Sequence, residues 1–356
     1  MDIKHPNSGG SEIYSWEICK RLIKDGHSVT YITSRFGTGI NEEQFEGVRI
    51  IRIGNWITLY PRAFFWIPKH VAEFDLIIEV INGLPFMLPF KLKGAKHVVI
   101  IFHLPTLRAT SLKLPLIGPL EFVLSRVALR YLYRKRKIIT DGIATKKELE
   151  SLGFSEICVA EDGLNIEERY IDPLPTKQKR AVILGPLKPW KRIEQGLIAF
   201  STLPDPWELD IIGNGEANYL KKLHRIASDL GIANRVTFHG YVDELRKRSI
   251  IGSSVLTIIT SEKEGFSLTA LECQRYGCIP VVYDFPGIET SVIHNVTSIV
   301  VRNGDLNKIK EMLAAFVKDE QRINRISISA IEFSKRFTWD YTYDKIMRFI
   351  TEVPPI

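Results

Sequence analysis

Short apolar segments alternate with longer helical segments through the second half of the chain, and this alternation constrains the fold more than any other feature. The apolar segments predicted to be strands read RAVILG, WELDIIG, RVTFHG, VLTIIT and IPVVY. Helices are predicted between and after them, near 191–202, 216–230, 242–250, 267–276 and 287–294. A strand that is apolar on both faces must be covered on both faces, as in a parallel sheet between two helical layers. The pattern therefore predicts an α/β domain with a doubly wound sheet.

The first half of the chain contains the same kinds of segment in a less regular order. A helix is predicted in SGGSEIYSWEICKRLIKDGHSV, with Ser11 as its N-cap and Gly26 at its end. Strands are predicted at SVTYIT, VRIIRI, FDLIIEV, KHVVIIF and RKIIT. Only MDIKHPN precedes the glycine-rich start of the first helix, so the first strand of this doubly wound domain is expected to be missing.

The length of 356 residues predicts two domains, because a single core of ordinary size holds fewer residues. The segment YIDPLPTKQKR at 170–180 has two prolines and a basic polar end, and it is the predicted linker. We therefore expect an N-terminal domain at 1–170 and a C-terminal domain at 171–335. Two doubly wound domains would form a cleft at the carboxyl ends of their strands, where ligands of such sheets bind.

The formal net charge of +7 is compatible with nucleic acid, an anionic membrane surface or a phosphorylated substrate. No nucleic-acid-binding module accompanies the charge, so we expect no nucleic-acid partner. No apolar run reaches the ~18 residues of a membrane span, and no secretory segment is recognised, so a cytoplasmic location is expected. The four cysteines do not have the spacing of a zinc site and are predicted to be reduced thiols in the core.

Two glutamates stand eight positions apart in TSEKEGFSLTALECQ, which spans Thr260–Gln274. Glu264 is predicted on a loop after the strand VLTIIT, and Glu272 about two turns inside the following helix. Gly265 leaves room for a ligand to approach the backbone, and the amides that start the helix suit a phosphate. A nucleotide sugar fits this pattern, because it has sugar hydroxyls, a diphosphate and a ribose diol. The alternative is that Glu264 lies in solvent and Glu272 pairs with a lysine.

The longer stretch SEKEGFSLTALECQRYGCIPVV resembles the E-x7-E signature of retaining glycosyltransferases of the GT-B fold, in particular family 4. This resemblance implies two doubly wound, Rossmann-like domains that face a central cleft, and a final helix at 336–356 that crosses back onto the first domain. It also implies that Glu264 contacts the hydroxyls of the donor sugar and that Glu272 holds the ribose. The residues whose backbone would meet the diphosphate or the sugar are Gly265, Phe266, Ser267 and Leu268.

Three further segments of the C-terminal half are similar to the family, in the order that the family shows. VILGPLKPWKRIEQGLIAF implies that Lys191 neutralises the diphosphate. The family usually has an arginine where this chain has Pro186, so Lys188 or Arg192 would have to supply that charge. IIGNGE is similar to the second glycine turn, which begins here at Gly213. RVTFHGYV provides the residues whose backbone would receive the nucleobase: Gly240, Tyr241 and Val242.

The N-terminal half supplies the remaining matches. SGGSE resembles a glycine-rich loop that faces the donor phosphate, which implies this role for Gly9 and Gly10. Without the resemblance, these glycines simply begin a helix. VVIIFHLPTL places His103 at the end of a strand, where a histidine of the family approaches the sugar or the acceptor. VAEDGLN departs from the family's Pro-Asn-Gly turn at Glu161 and Asp162.

The resemblance implies a hexosyltransferase reaction that retains the anomeric configuration. The sequence has no Asp-x-Asp, the metal-binding signature of the other large glycosyltransferase fold, so we expect neither a metal nor another cofactor. Lys191 and the helix-start amides would stabilise the departing diphosphate instead. A phosphate oxygen of the donor would accept the proton of the acceptor, while Glu264 would orient the sugar and stabilise its oxocarbenium character. The turn at 213–215 lacks the third glycine of a dinucleotide fingerprint, which argues against NAD.

Two other functions are compatible with the same sequence. One is a different reaction on the same scaffold, such as that of a phosphorylase or a sugar-nucleotide epimerase. The other is a nucleotide-sugar-binding or scaffold protein without turnover, which the missing strand and Pro186 would favour.

The basic charge is concentrated in EFVLSRVALRYLYRKRKII, where Arg126, Arg130 and Arg134 recur at four-residue spacing and would share one helical face. The segment NWITLYPRAFFWIP is unusually aromatic. Together these features predict peripheral membrane contact through 55–68 and 121–137, on the inner face of the cell membrane. The acceptor would then be a lipid-linked saccharide, or else another glycan. The alternative is a core helix with a solvated basic edge.

Overall fold

The computed structural model describes residues 3–5, 8–37, 40–92, 96–104, 118–165 and 176–352. The chain divides into two compact units, which we call the first and the second unit. The first unit contains Met1–Gly163 and Trp339–Ile356, and the second contains Leu164–Thr338. Each unit is a Rossmann-like α/β domain with parallel strands, which confirms the predicted fold class.

The first unit has two small sheets and five described helices, numbered here in chain order. Its strands are β1 (Thr30–Thr33), β2 (Glu42–Phe45), β3 (Val48–Arg52), β4 (Ile77–Ile81), β5 (His97–Ile101), β6 (Lys137–Thr140) and β7 (Ile157–Val159). Its helices are α1 (Gly10–Lys24), α2 (Leu59–His70), α3 (Gly118–Ala128), α4 (Ile143–Ser151) and α11 (Trp339–Thr351). A π-helical turn, Leu129–Tyr133, continues α3.

The strand order in the first unit is β1-β3-β2 in one sheet and β4-β5-β6-β7 in the other. The second of these sheets is parallel throughout. Residues 3–5 and 8–9, which are described and precede α1, contain no strand. Strand β5 is buried on both faces: Val98 and Ile100 pack with α1 and α11, whereas Val99 and Ile101 pack with the π-helical turn.

The second unit has one six-stranded sheet. Five of its strands match the apolar segments predicted from the sequence, whereas the last, Ile299–Arg302, was not predicted. Its strands are β8 (Gln178–Leu184), β9 (Glu208–Ile212), β10 (Val236–Gly240), β11 (Ser254–Ile259), β12 (Ile279–Asp284) and β13 (Ile299–Arg302). Its helices are α5 (Ile193–Phe200), α6 (Ala217–Asp229), α7 (Glu244–Ser253), α8 (Leu268–Arg275), α9 (Leu306–Phe316) and α10 (Glu320–Ser334).

The order of strands in this sheet reverses at its centre. The sheet runs β10-β9-β8-β11-β12-β13, with every neighbouring pair parallel. The chain therefore steps from β8 towards one edge, returns to the other side of β8 with β11, and then steps towards the opposite edge. The loops that follow β8 and β11 diverge at this point, which is where doubly wound sheets bind their ligands.

Burial on both faces explains the almost continuous apolar sequence of these strands. In β8, Ala181 and Ile183 contribute to a core that includes Leu197 of α5, while Val182 packs on the other face with Cys273 and Tyr276. The four cysteines are free thiols, three of them buried and Cys158 half-buried. In the described residues, no helix has both the length and the apolar character needed to cross a membrane.

One predicted helix is wrong. The segment near 287–294 contains only a 3-10 turn, Ile288–Thr290. Gly287 directly before it has a left-handed backbone with φ of +101°, which is incompatible with a regular helix. The apolar residues there, Ile288 and Val292, are buried in the core as single side chains rather than as a helical face.

Candidate functional site

The loops at the centre of the second unit's sheet hold the candidate site. Residues 185–192 follow β8, and residues 260–267 follow β11, the strand beside it. Backbone contacts join the two loops, because the amide of Glu262 donates to the carbonyl of Trp190 at 2.8 Å. The hydroxyl of Thr260 also donates to the carbonyls of Lys191 and Arg192, at 3.0 and 2.9 Å. These bonds fix the two loops relative to each other.

A lysine and a glutamate from these loops form a partly buried ion pair. The Nζ atom of Lys191 lies 2.7 Å from Oε1 of Glu264, and the two side chains are 15% and 12% exposed. The hydroxyl of Ser261 donates to the same carboxylate oxygen. The sequence predicts both charged residues as site residues, and the structure brings them into contact across 73 positions of chain. A cation and a carboxylate therefore stand together, both still reachable by a ligand.

The helix that follows this loop begins with unpaired amides. The amide of Ser267 donates to the hydroxyl of Ser291 at 3.1 Å and is thus already used. The amides of Gly265, Phe266 and Leu268 have no hydrogen-bond partner in the described part of the chain. The side chain of Phe266 is buried, so only its backbone is available to a ligand. These three amides lie at the N-terminal end of α8, where an anion is favoured.

The loop after β12 supports this segment, a contact that the sequence reading missed. The amide of Glu264 donates to the carbonyl of Pro286 at 3.2 Å. A Cβ atom at Gly287 would lie 2.0 Å from the carbonyl oxygen of Glu264, so no residue except glycine fits here. The Pro-Gly pair is a turn signal that could have identified this position.

The two other cations expected near the diphosphate are placed differently from Lys191. Arg192 has a left-handed backbone with φ of +49°, and its guanidinium donates to Asn303 at 2.9 Å. Asn303 in turn donates to the carbonyl of Glu262 at 3.2 Å, so Arg192 braces the loop after β11. Lys188 lies 3.4 Å from the exposed carboxylate of Glu216. Lys191 is thus the cation in direct contact with Glu264.

Glycine turns join the ends of β8, β9 and β10. A Cβ atom at Gly213 would lie 1.9 Å from the carbonyl oxygen of Gly185, and the Gly213 amide donates to Gly240 at 2.8 Å. The amide of Leu187 donates to the carbonyl of Asn214 at 2.8 Å. The packing of these loops by itself requires glycine at 213. Directly beyond Gly240, Tyr241 is 82% exposed and Val242 packs against the core.

Glu272 lies inside α8 and forms an ion pair with α7. Its Oε1 atom is 2.6 Å from Nζ of Lys247, and both side chains are 19% exposed. Lys247 is also 2.8 Å from Glu244. Burial raises the pKa of the Glu272 carboxyl above its usual value, and the positive charge of Lys247 opposes that rise. The pairing of Glu272 with a lysine, stated above as an alternative to ligand binding, is thus present, and it leaves the carboxylate partly accessible.

The remaining predicted residues belong to the first unit. His103 is exposed two positions beyond the end of β5, and Gly10 is the first residue of α1. The amide of Gly9 donates to Oε2 of Glu12 at 2.9 Å. A Cβ atom at Gly9 would meet nothing closer than Glu12 at 3.7 Å, so the contacts of the described chain do not require glycine there.

Two buried carboxyls follow strands of the first unit, and the sequence reading gave neither a role. Asp141 follows β6 and Asp162 lies beyond β7, with both side chains almost fully buried. Burial raises the pKa of Asp141 to about 7. Burial and the neighbouring Asp141 together raise the pKa of Asp162 well above its usual value. Beside them, Glu161 is held by Lys345 of α11 at 2.7 Å.

The surface of α3 differs from the predicted basic stripe. Arg126 is half-buried and stacks on Phe122 at 4.8 Å, whereas Arg130 and Arg134 are exposed. The π-helical turn between them inserts an extra residue into the helical repeat, which breaks the four-residue spacing. The exposed stripe is apolar instead and consists of Leu120, Val123, Leu124, Val127 and Tyr131. The other predicted segment exposes Trp56, Ile57 and Phe65.

Two families match the chain by sequence, and together their matches extend over most of its length. The model of the family described as Glycosyl transferases group 1 matches residues 165–333. The model of the family described as Glycosyltransferase Family 4 matches residues 8–168.

Solved structures of similar fold align with nearly the whole chain. Sucrose-phosphate synthase from Thermosynechococcus elongatus has a TM-score of 0.78 at 16% identity, covering 98% of this chain and 94% of that one. The Anabaena protein HepE in complex with UDP and glucose has a TM-score of 0.75 at 16% identity, covering 99% and 98%. At these identities the likeness shows the fold.

Curated relatives match over about half of this chain or less. The poly(glycerol-phosphate) alpha-glucosyltransferase of Bacillus subtilis is 28% identical over 180 residues, which are 48% of this chain and 26% of the relative. The D-inositol 3-phosphate glycosyltransferase of Mycolicibacterium smegmatis is 27% identical over 182 residues, which are 50% of this chain and 41% of the relative. The chain therefore spans well under two thirds of the length of these relatives.

Proposed function

Because the chain belongs to the glycosyl transferases of group 1 and family 4 and has their GT-B fold, we propose that it transfers a sugar from a nucleoside-diphosphate sugar to an acceptor. The observation that carries this proposal is the Lys191–Glu264 ion pair at the centre of the second unit's sheet. Two neighbouring loops thus offer a cation, a carboxylate and unpaired helix-start amides. A diphosphate linked to a sugar suits all three, because the cation and the amides bind phosphate oxygens and the carboxylate accepts hydrogen bonds from sugar hydroxyls.

Each part of this donor has a candidate partner in the second unit. The diphosphate would take the Lys191 ammonium and the amides of Gly265, Phe266 and Leu268, which lack partners in the described chain. The Glu264 carboxylate would then accept hydrogen bonds from hydroxyl groups of the sugar, in place of its present contact with Lys191. Charge-assisted hydrogen bonds of this kind are stronger than neutral ones, and they strengthen further where water is excluded.

The nucleoside part would lie along the neighbouring strand ends. Glu272 would accept the ribose hydroxyls, and the backbone of residues 240–242 would receive the base. The exposed ring of Tyr241 provides an apolar surface beside that backbone. The charge that Pro186 removes from the family pattern would come from Lys188, which is paired with the exposed Glu216, or from Arg192.

We propose that the reaction retains the anomeric configuration and needs no metal. The bond between the anomeric carbon and the diphosphate oxygen would break, and the acceptor oxygen would bond to the same face of that carbon. The acceptor's proton would pass to a phosphate oxygen of the donor. Lys191 and the amides would stabilise the negative charge of the leaving group, as preorganised donors do in other enzymes. His103 is the candidate residue for contact with the sugar or the acceptor.

The acceptor is proposed to be a lipid-linked saccharide or another glycan, used at the inner face of the membrane. The support is the apolar stripe of α3 and the turn after it, where five large apolar side chains are exposed beside Arg130 and Arg134. Apolar side chains insert at the boundary between headgroups and acyl chains, and arginines attract anionic lipids.

The experiment that tests the function is release of nucleoside diphosphate from UDP-, GDP- and ADP-sugars, with and without glycan and lipid-linked acceptors. We expect one donor to show acceptor-dependent release at a rate that EDTA does not change, and NMR to show the donor's anomeric configuration in the product. Release that requires inorganic phosphate would indicate a phosphorylase, and an altered donor sugar an epimerase. Binding without release would indicate a protein that holds nucleotide sugars, the function that Pro186 favours.

A further inference from the structure

Lys247 occupies an unusual position between two carboxylates of the second unit. Its Nζ atom lies 2.6 Å from Oε1 of Glu272 on α8 and 2.8 Å from Oε1 of Glu244 on its own helix, α7. The Glu272 and Lys247 side chains are largely covered, whereas Glu244 is exposed. A single ammonium therefore connects the interior of α8 to the surface of α7.

The charged and titratable groups that face Glu272 come from these two helices. From α7 they are Lys247, Glu244 and Arg248, and from its own helix and the turn after it they are Cys273 and Tyr276. Arg248 donates to the carbonyl of Asn165 at 3.2 Å and stands 3.8 Å from Glu244, so it is directed elsewhere. Among these groups, Lys247 is the cation whose contact with Glu272 is a short hydrogen-bonded one.

Burial and the lysine act on Glu272 in opposite directions. Burial raises the pKa of the Glu272 carboxyl, and the adjacent Lys247 ammonium lowers it again. Burial lowers the pKa of the Lys247 ammonium, but the carboxylates of Glu272 and Glu244 outweigh that effect and raise it. The ion pair thus favours the charged form of both groups in a place where burial disfavours it.

We propose that Lys247 is a positioning residue, which keeps Glu272 ionised and aimed so that its carboxylate accepts the two hydroxyls of a ribose. This inference depends on the proposed function, in which Glu272 binds the ribose. An ionised carboxylate accepts hydrogen bonds at both oxygens, whereas a protonated one has turned one oxygen into a donor. A ribose diol offers two donors, so it selects the ionised form.

The geometry explains how Lys247 can serve Glu272 without blocking it. The lysine contacts Oε1, and no protein partner of Oε2 is found among the described residues. An ammonium has three donors, of which the two carboxylates take two. The lysine can therefore remain bound to Glu272 while a ribose hydroxyl binds the same carboxylate.

The test is calorimetric titration of the whole chain with UDP, GDP and ADP between pH 5.5 and 8.5. The variants are Lys247→Met, Lys247→Arg and, as a matched control, Lys308→Met, which removes a lysine from a surface pair with Glu311. The relevant ligand is the nucleotide that wild type binds. In Lys247→Met, we expect its affinity to fall about tenfold for each pH unit below the pKa of the Glu272 carboxyl, which no longer has a lysine partner. Affinity should recover towards pH 8.5, and Lys247→Arg and Lys308→Met should keep the wild-type profile.

The outcomes separate this inference from the function on which it depends. Failure of wild type to bind any of the three nucleotides would overturn the proposed function. Equal weakening of Lys247→Met at every pH would overturn the positioning role, because loss of packing alone does not depend on pH. Should Lys247→Met not fold, Glu244→Gln decides: it frees Lys247 for Glu272, so affinity at pH 5.5 should be unchanged or higher, and a loss there would contradict the inference.

Discussion

At the scale of single residues, the proposed function depends most on the contact between Lys191 and Glu264. In the absence of ligand each neutralises the other at 2.7 Å, which stabilises two charges that are only partly solvated. A phosphate and a sugar hydroxyl can replace this contact without leaving either charge unpaired. The pair is thus ready for a ligand that is anionic on one side and rich in hydroxyls on the other.

Removal of the cation should impair turnover far more than folding. Lys191→Met keeps most of the side-chain volume but removes the charge that opposes the leaving diphosphate, so we expect kcat to fall by a factor of about 100 or more. The measurement is release of nucleoside diphosphate from the donor that wild type uses. Lys222→Met, which removes a lysine from an exposed pair with Glu194, is the control and should retain wild-type activity. A loss of less than about threefold in Lys191→Met would contradict the role given to this residue.

The sequence predicts the charged residues of the candidate site but not their contacts. Glu264 and Lys191 were predicted separately, because only the strand order brings their loops together. Arg192 is predicted as a replacement charge, and its hydrogen bond to Asn303 has no signal in the sequence. The bracing role of Asn303 has no local sequence signal, because Asn303 and Arg192 are 111 positions apart in the chain. Ser261 and Glu264 are only three positions apart, but their contact depends on the conformation of one irregular loop, which no periodic pattern signals.

At the scale of elements, three glycine turns fix the ends of β8, β9 and β10. Gly213→Ala would force a Cβ atom to 1.9 Å from the carbonyl oxygen of Gly185, in a backbone conformation with φ of +141°. We expect it to destabilise the second unit by about 3 kcal/mol or more. Gly231→Ala is the matched control, because its φ of +69° carries a similar backbone cost but nothing lies within 4 Å of the new atom. That control should lose only about 1 kcal/mol.

Urea denaturation of the two glycine variants measures these differences. The difference between them isolates the collision with Gly185 from the general cost of a left-handed backbone. Equal destabilisation of both variants would mean that the loops can separate, and that the strand ends are not held as closely as described.

The apolar stripe of α3 makes a second element-scale prediction. Val123→Asp combined with Leu124→Asp should lower binding to vesicles with phosphatidylglycerol by about tenfold, because both side chains are exposed and apolar. Arg130→Glu should weaken binding to these anionic vesicles by about fivefold, because one arginine near such a surface contributes about 1 kcal/mol of attraction. Binding to neutral vesicles should not change. Ile328→Asp changes a still more exposed apolar residue, on α10, and is the control. Vesicle sedimentation measures all of them, and unchanged binding of the α3 variant would contradict membrane contact.

The first five strands of the second unit were predictable because their apolar pattern is dictated by burial on both faces. The helices α5 to α8 also match predicted segments, whereas β13, α9 and α10 were not predicted. The prediction of a helix near 287–294 was wrong. Two buried apolar residues four positions apart, Ile288 and Val292, have the spacing of a helical face although the segment contains only a 3-10 turn. The π-helical turn after α3 was not foreseen either. It breaks the four-residue spacing of Arg126, Arg130 and Arg134, and an ideal helical repeat cannot show such a break.

At the scale of the whole molecule, the buried Asp141 makes the stability of the first unit depend on pH. Its pKa is raised to about 7, whereas an unfolded aspartate loses its proton near pH 4. Between these values folding takes up a proton, so the free energy of unfolding should fall as pH rises from 4 towards 7. Above pH 7 the folded state holds a buried charge, which Asp141→Asn removes.

Asp141→Asn should therefore stabilise the protein at pH 8, on the order of 2 kcal/mol, and have little effect at pH 4. Thermal unfolding at the two pH values measures the effect. Asp284→Asn, at an exposed aspartate that ends β12, is the control and should change neither. Equal stabilisation by Asp141→Asn at both pH values would show that the gain does not come from the carboxyl's charge.

The fold and the site together lead to one central claim: the second unit binds the nucleoside-diphosphate sugar that the enzyme uses. The most direct test is calorimetric titration of the full chain with UDP-, GDP- and ADP-sugars and with the matching nucleoside diphosphates. Wild type should bind one sugar donor saturably. Glu272→Ala should weaken binding of that donor and of the matching nucleoside diphosphate by about tenfold or more, because both ligands contain ribose. Glu264→Gln should weaken binding of the sugar donor more than binding of the matching diphosphate. Glu332→Ala, which removes a carboxylate from an exposed pair with Lys335, is the control and should change neither affinity. If no donor binds the folded protein, or if both site variants bind as tightly as wild type, the account is contradicted.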